Sequence, residues 1–234
     1  MAKLLIIIPA YNEELNIEKV VDRLEKEYSQ YDYLVVNDGS RDQTAFLCRK
    51  NGYHMVDLPL NLGLAGAFQT GIKYAYAHDY DFAVQFDGDG QHRPEYFASM
   101  IEKMEEGYDI VIGSRFVHER KPKSMRMLGS NLIQAAILLT TGRKICDPTS
   151  GMRMFNRNMI REFACNINYA PEPDTLSFLL KNGAKVAEVP VKMDERLQGA
   201  SYLTPINAGK YMFRMLLSIL FIQNFRRKEK RKPL

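Results

Sequence analysis

Five short apolar runs set the strongest limit on what this chain can fold into. They are KLLIII (residues 3–8), YLVV (33–36), HMVDL (54–58), FAVQF (82–86) and DIVIG (109–113). Runs of this length and continuity suit strands buried on both faces, as in parallel sheets. Pro9 is expected to end the first. Helical patterns fill the gaps. Ile17, Val20, Val21, Leu24 and Tyr28 fall on one helical face, behind Glu13 and Glu14, which suit a helix N-terminus. Asp42 is placed to cap a second, short helix. Residues 63–78 read as a third, and Pro94 opens a fourth. Strand and helix thus alternate at least four times, in units of about thirty residues. That rhythm predicts an α/β fold: a parallel sheet with helices on both faces.

After Gly113 the rhythm breaks. Residues 116–127 read as a polar, basic loop and 130–141 as a strongly apolar helix. Residues 152–155 and 186–191 read as further strands. A last helix is expected from Thr204-Pro205 to about Phe225. Its longest apolar run, MLLSILFI (215–222), is well short of the ~20 residues that a spanning helix needs. The leading LLIII is too short for a secretory signal. The organisation expected is a catalytic domain over 1–203, with halves 1–115 and 116–203. An amphipathic helix and basic tail follow over 204–234.

The 234 residues are 46% hydrophobic and 26% charged, enough for a proper core. Cys48, Cys146 and Cys165 are scattered, which argues against a zinc site and for a reducing compartment. Residues 226–232 carry net charge +5 and residues 115–126 carry +4, leaving the rest at −5 within a total of +4. A mildly acidic body with two local basic patches does not fit a nucleic-acid partner.

In open parallel sheets, ligands bind beyond the carboxyl ends of the strands. The polar clusters fall there: Pro9 to Glu13, Asn37 to Ser40, Asp87 to Asp89 and Gly113 to Arg115. In the segment QFDGDGQHRP (85–94), two carboxylates two apart in extended backbone face the same way. Each is followed by a glycine that lets backbone or ligand approach. With the amide oxygen of Gln91 they make a hard oxygen set suited to Mg²⁺ or Mn²⁺. The competing reading is a plain Asp/Gly surface turn.

Six motifs occur in order: PAYNEELN (9–16), NDGSRDQT (37–44), NLGLAGAFQTG (61–71), DGDGQHRPE (87–95), GSRF (113–116) and DPTSGMRMF (147–155). Together the chain resembles the family 2 glycosyltransferases of GT-A (Rossmann-like) fold, over about residues 3–203. Within them it is most similar to the dolichyl- or polyprenyl-phosphate mannosyl- or glucosyltransferases. The resemblance implies a mostly parallel sheet and transfer of a sugar, with inversion, from a nucleotide diphosphate sugar. UDP-glucose or GDP-mannose are the favoured donors, and polyprenyl phosphate the acceptor for cell-envelope glycans. It implies that Pro9, Tyr11, Glu13 and Asp38 hold the base and ribose, with Tyr11 stacking. Asp87, Asp89 and Gln91 would hold Mg²⁺ or Mn²⁺ on the donor diphosphate, approached past Gly88. Arg115 would add fixed positive charge there, and Arg196 would close over the donor.

A hydroxyl acceptor needs a general base, for which Asp147, Glu172 and Asp174 are candidates; Asp147 is equally suited to bracing the Thr149-Ser150 turn. A phosphate acceptor is already anionic near neutrality. Arg126 and Ser130 match the positions implied for holding it. One departure is G-A-S (199–201), where relatives read G-K-S. The final helix and basic tail fit a membrane interface or a small membrane protein partner, giving a peripheral enzyme on the cytoplasmic face. Two rivals remain: transfer to a sugar hydroxyl, and a scaffold that binds nucleotide sugar without turnover. NLGLAGAFQTG misses the GxGxxG spacing of dinucleotide sites.

Overall fold

The structure, a computed structural model, describes residues 2–166, 169–194, 205–223 and 225–226. The described strands are β1 (Leu4–Ala10), β2 (Asp32–Asn37), β3 (Met55–Asp57), β4 (Phe82–Gln85), β5 (Ile110–Ser114), β6 (Arg153–Asn156) and β7 (Val186–Pro190). They form one sheet in the order β3-β2-β1-β4-β6-β5-β7. Every pairing is parallel except those of β6, which runs antiparallel to β4 and β5.

The helices are α1 (Ile17–Glu27), α2 (Thr44–Asn51), α3 (Gly63–Ala77), α4 (Phe97–Glu105), α5 (Met125–Thr141), α6 (Arg157–Cys165), α7 (Pro173–Lys181) and α8 (Pro205–Leu217). A π-helical segment (Ser218–Gln223) continues α8. Period-two alternation along β1 builds both cores. Leu5 and Ile7 join Phe68 and Ile72 of α3, Ile133 of α5, Phe163 of α6 and Leu176 of α7 on one face. Leu4, Ile6 and Ile8 join Val21 of α1, Cys48 of α2 and Met100 of α4 on the other. Each such aliphatic side chain taken fully from water contributes ~1.5–3 kcal/mol. Gly71 lets α3 lie directly on β1, since a Cβ there would stand 2.3 Å from Ile7 Cγ2.

Three features differ from expectation. Pro9 does not end β1: it registers with Val36, and Ala10 with Asn37. Like Ile7, whose carbonyl accepts from Phe86 N (2.9 Å), Pro9 faces the β4 side. The β4 pairing has already stopped at Gln85, so the missing N–H costs no ladder bond. Second, residues 116–127 are not all loop. Helix α5 starts at Met125 because Ser124, in extended conformation, accepts from Met127 N at 3.2 Å. Third, β6 is antiparallel. Its direction brings its entry loop, not its exit, to the carboxyl ends of β4 and β5, so the Asp147 to Gly151 segment joins the rim.

Candidate active site

The rim is tied together from β1 outward. Asn12, at φ +56°, donates from its backbone N to Ser40 Oγ (3.0 Å) and accepts from Arg41 N at Oδ1 (2.9 Å). Glu13 N donates to Thr44 Oγ1 (2.9 Å), and its carboxylate accepts from Asn16 Nδ2 (2.7 Å). Asp42 accepts from Glu14 N and Thr44 N, which locks the turns after β1 and β2 to each other. Asp38 is buried and accepts from Leu62 N at 2.7 Å. Burial pushes its carboxyl up, against the Leu62 and Gly63 amides that pull it down. Gly39, at φ +63°, is required, because a Cβ would stand 2.6 Å from Asn61 N. Pro9, Tyr11, Glu13 and Asp38 therefore share one corner.

The next segment packs against this corner. A Cβ on Gly88 would lie 3.3 Å from the Pro9 carbonyl oxygen. Asp87 N donates to Nδ1 of buried His92 at 3.0 Å. The ring's proton is thus on Nε2, which faces Asp87 Oδ2 at 3.5 Å. Gly151, from the β6 entry loop, touches the same carboxylate, since a Cβ there would stand 2.9 Å from Oδ2. Gln85 Nε2 lies 3.4 Å from Asp87 Oδ1, and Gln85 Oε1 is buried without a partner among the described residues. Asp89 Oδ1 accepts from Gln91 N (3.1 Å). Asp194 N donates to the Gln91 carbonyl (2.9 Å), while Arg93 holds the Asp194 carboxyl below its usual range. The loop is thereby latched to the chain beyond β7. Arg196, just after it, lies outside the described residues, as does the G-A-S segment.

No group of three or more His, Cys, Asp or Glu side chains among the described residues is arranged to hold a metal. The set Asp87, Asp89 and Gln91 instead has two carboxylates and an amide, beside the orphaned oxygen of Gln85. That fits a hard cation which completes its shell with phosphate oxygens.

Arg115 and Asp147 form the opposite wall. Asp147 is fully buried. Its Oδ2 accepts from Arg115 N (3.2 Å) and Nε (2.7 Å), and its Oδ1 from Arg115 Nη2 (2.8 Å) and Thr149 Oγ1 (3.3 Å). Glu188, on β7, accepts from Cys146 N (2.7 Å) and Asp147 N (2.9 Å). Asp147 thus braces Arg115 and the turn at once. Arg153, at the start of β6, is also buried. It donates to the carbonyls of Ser150 (3.0 Å), Pro148 (2.5 Å) and Pro171. Burial pulls its guanidinium down from the usual range, opposed first by Glu172.

These walls enclose a cavity of about 420 Å³ lined by Asp87, Gln91, Arg115, Arg153, Glu172 and Tyr211, among others. Ala208, Tyr211 and Met212 close one side, so α8 contributes to the site. Tyr211 OH donates to Glu172, and burial with that carboxylate pushes the phenol well above its usual range. Ser218 Oγ donates to Asp174 Oδ2 (2.6 Å). Ser130 is fully buried under Lys121, and Arg126 falls in the first turn of α5. His92, Arg153, Glu188, Tyr211 and Lys121 escaped the sequence reading. The signals were position alone: His92 lies within the acidic segment 85–94, Arg153 within DPTSGMRMF (147–155) and Lys121 within the basic stretch 115–126.

A family model described as glycosyl transferase family 2 matches residues 5–163. The polyprenol monophosphomannose synthase of Mycolicibacterium smegmatis is 29% identical over 90% of this chain and 84% of its own. A Methanococcus voltae protein, UDP-N-acetylglucosamine–dolichyl-phosphate N-acetylglucosaminyltransferase, is 30% identical over 80% and 84%. Among solved structures, glucosyl-3-phosphoglycerate synthase of Mycobacterium tuberculosis, with Mn²⁺, uridine diphosphate and phosphoglyceric acid, superposes at TM-score 0.69. It is 19% identical, over 97% of this chain and 80% of that one, a likeness of fold. Strand order and superposition agree on the GT-A arrangement.

Proposed function

Because the chain belongs to glycosyl transferase family 2, we propose that it is an inverting transferase moving one sugar from a nucleotide diphosphate sugar to polyprenyl phosphate. UDP-glucose and GDP-mannose are the first donors to consider, and cell-envelope glycan synthesis the setting. The relatives support the acceptor more than the sugar: one is named for mannose and another for N-acetylglucosamine, both for a lipid phosphate.

The observation that carries the phosphate acceptor is the state of the three candidate bases. Asp147 is held by Arg115, Glu172 by Tyr211 and Asp174 by Ser218. A hydroxyl nucleophile needs a base poised to take its proton. A phosphate oxygen, with a second pKa of ~6, does not.

In this reading Pro9, Tyr11, Glu13 and Asp38 hold base and ribose, and Gly88 admits the diphosphate. Asp87, Asp89 and Gln91 hold Mg²⁺ or Mn²⁺, which supplies positive charge to the leaving diphosphate. Arg115, fixed by Asp147, presents a second cation at the cavity wall. Arg196 follows the latched Asp194 and would close over the donor. Arg126 and Ser130 belong to the acceptor side.

The test is a panel of labelled UDP-glucose, UDP-N-acetylglucosamine, UDP-galactose and GDP-mannose with Mg²⁺ or Mn²⁺ and undecaprenyl phosphate. Label extracted into organic solvent from one donor is expected. Donor hydrolysis without lipid product would turn the reading to sugar hydroxyls, and donor binding without any turnover to a scaffold.

A peripheral seat on the cytoplasmic membrane face completes the reading. No helix among the described residues is long and apolar enough to cross a membrane. Helix α5 exposes Met125, Leu128, Leu132 and Leu139 at helical spacing, and the α8 segment exposes Phe213, Leu217 and Phe221. The two helices pack closely, since a Cβ on Gly129 would stand 2.8 Å from Met212 Cγ. Such apolar helix faces beside basic segments suit an anionic lipid surface. Phe213→Ser with Phe221→Ser is expected to weaken sedimentation with phosphatidylglycerol vesicles about tenfold or more, at ~1.5–3 kcal/mol per buried Phe. Unchanged sedimentation would assign the face to a small membrane protein partner.

A further inference from the structure

Lys121 was not among the residues that the sequence motifs pick out, yet its surroundings are unusual for a loop lysine. Its Nζ donates to Ser130 Oγ at 3.1 Å and to Gln134 Oε1 at 3.0 Å. Ser130 and Gln134 are one turn apart on α5, so they present two neutral oxygens to one ammonium. An ammonium has three donors. No carboxylate among the described residues lies within ion-pair distance of this one.

Lys121 is half-buried, and burial pulls its ammonium down from the usual range. Asp147, Cys146 and Glu188 oppose that shift from a distance, and Arg115 adds to it. A cation taken partly from water and offered only neutral partners gains most from an arriving anion.

Its position relates it to both substrates' paths. Lys121 Nζ and Arg115 Cζ stand over the same Phe116 ring, at 5.5 and 5.1 Å from its centroid. Arg115 lines the cavity. On α5, beside Ser130, Leu128 and Leu132 are exposed. A headgroup at Lys121 therefore sits between the cavity cation and an apolar helix face.

Resting on the polyprenyl phosphate reading above, we propose that Lys121 is a further cation that receives the acceptor phosphate, beside the Arg126 of that reading. Ser130 and Gln134 are positioning residues that act through it. Ser130 is fully buried and its hydroxyl oxygen is taken by Nζ, so it orients the lysine. The neighbouring Lys123 is exposed and belongs to the solvated face of the loop.

The experiment is steady-state transfer to a water-soluble short prenyl phosphate, with donor and acceptor concentrations varied separately. It compares the wild type with Lys121→Met, Lys121→Arg, Ser130→Ala and Lys123→Met. Lys121→Met is expected to raise the acceptor KM about 10- to 100-fold, the range for losing a hydrogen bond to a charged group, with the donor KM unchanged. Lys121→Arg recovers part of the loss, Ser130→Ala gives a smaller rise, and Lys123→Met stays close to wild type. Thermal melts of all variants, with Lys121→Arg as the charge-preserving case, separate this from misfolding. Equal effects of Lys121→Met and Lys123→Met would overturn the proposal, leaving only loop charge. So would a parallel rise in the donor KM, which would move Lys121 to the donor phosphates. A wild type that moves no sugar to any prenyl phosphate would overturn the functional reading itself, and this inference with it.

Discussion

Asp89→Ala and Asp87→Asn are each expected to lower kcat/KM by about a thousandfold or more, a loss of several kcal/mol of charge stabilisation in the transition state. Asp87 sits where three segments meet: it lies two residues past the end of β4, His92 orients it and Gly151 packs on it. That placement aims a carboxylate into the cavity from the end of a buried strand. Asparagine keeps the volume, so the Gly151 contact survives and the melting temperature should hold. Binding of Mn²⁺ in the presence of nucleotide diphosphate, followed by paramagnetic resonance, should be lost with the activity. Turnover within tenfold of wild type at saturating Mn²⁺ would remove both aspartates from the metal role.

Arg153→Met carries the largest expected effect on stability. The guanidinium is buried and joins two separate segments, through the carbonyls of Pro148 and Ser150 on one side and Pro171 on the other. Methionine fills most of the volume but leaves three carbonyls without their donor, at ~1–3 kcal/mol for each that finds no water. A loss of about 3–5 kcal/mol is expected, roughly 6–20 °C in Tm for a chain of this size. Lysine should not rescue it, because a single ammonium cannot reproduce the planar fork. A fall in Tm under about 3 °C, within the range of ordinary surface substitutions, would show that the carbonyls are satisfied some other way.

The sheet was legible because its strands are buried on both faces, which leaves uninterrupted apolar runs, and because Asp and Gly punctuate their ends. Direction was not. Residues 152–155 read as a strand in either orientation, and only the pairing of Val84 and Val111 with Met154 makes β6 antiparallel. The start of α5 was hidden inside a basic loop, although Ser124 is a good N-cap. Among the candidate site residues, those within motifs could be named: Asp87, Asp89, Arg115 and Asp147. Their supports were not. Arg153 in MRMF looks like a surface charge on a strand, and Glu188 like a solvent-facing one, until the fold buries the first and sets the second against the Cys146 and Asp147 amides. Asp147 was ambiguous between base and brace, and its bidentate grip on Arg115 weighs for the brace.

The measurement closest to the central claim compares two acceptors that differ by one group: undecaprenyl phosphate and undecaprenol. Both would be offered in the same vesicles with the active donor and metal. Transfer to the phosphate alone is expected, because the chain presents cations for an anion and keeps its three candidate carboxylates engaged. Transfer to the alcohol at a comparable rate would contradict this, and would require one of Asp147, Glu172 or Asp174 to leave its partner and serve as a base.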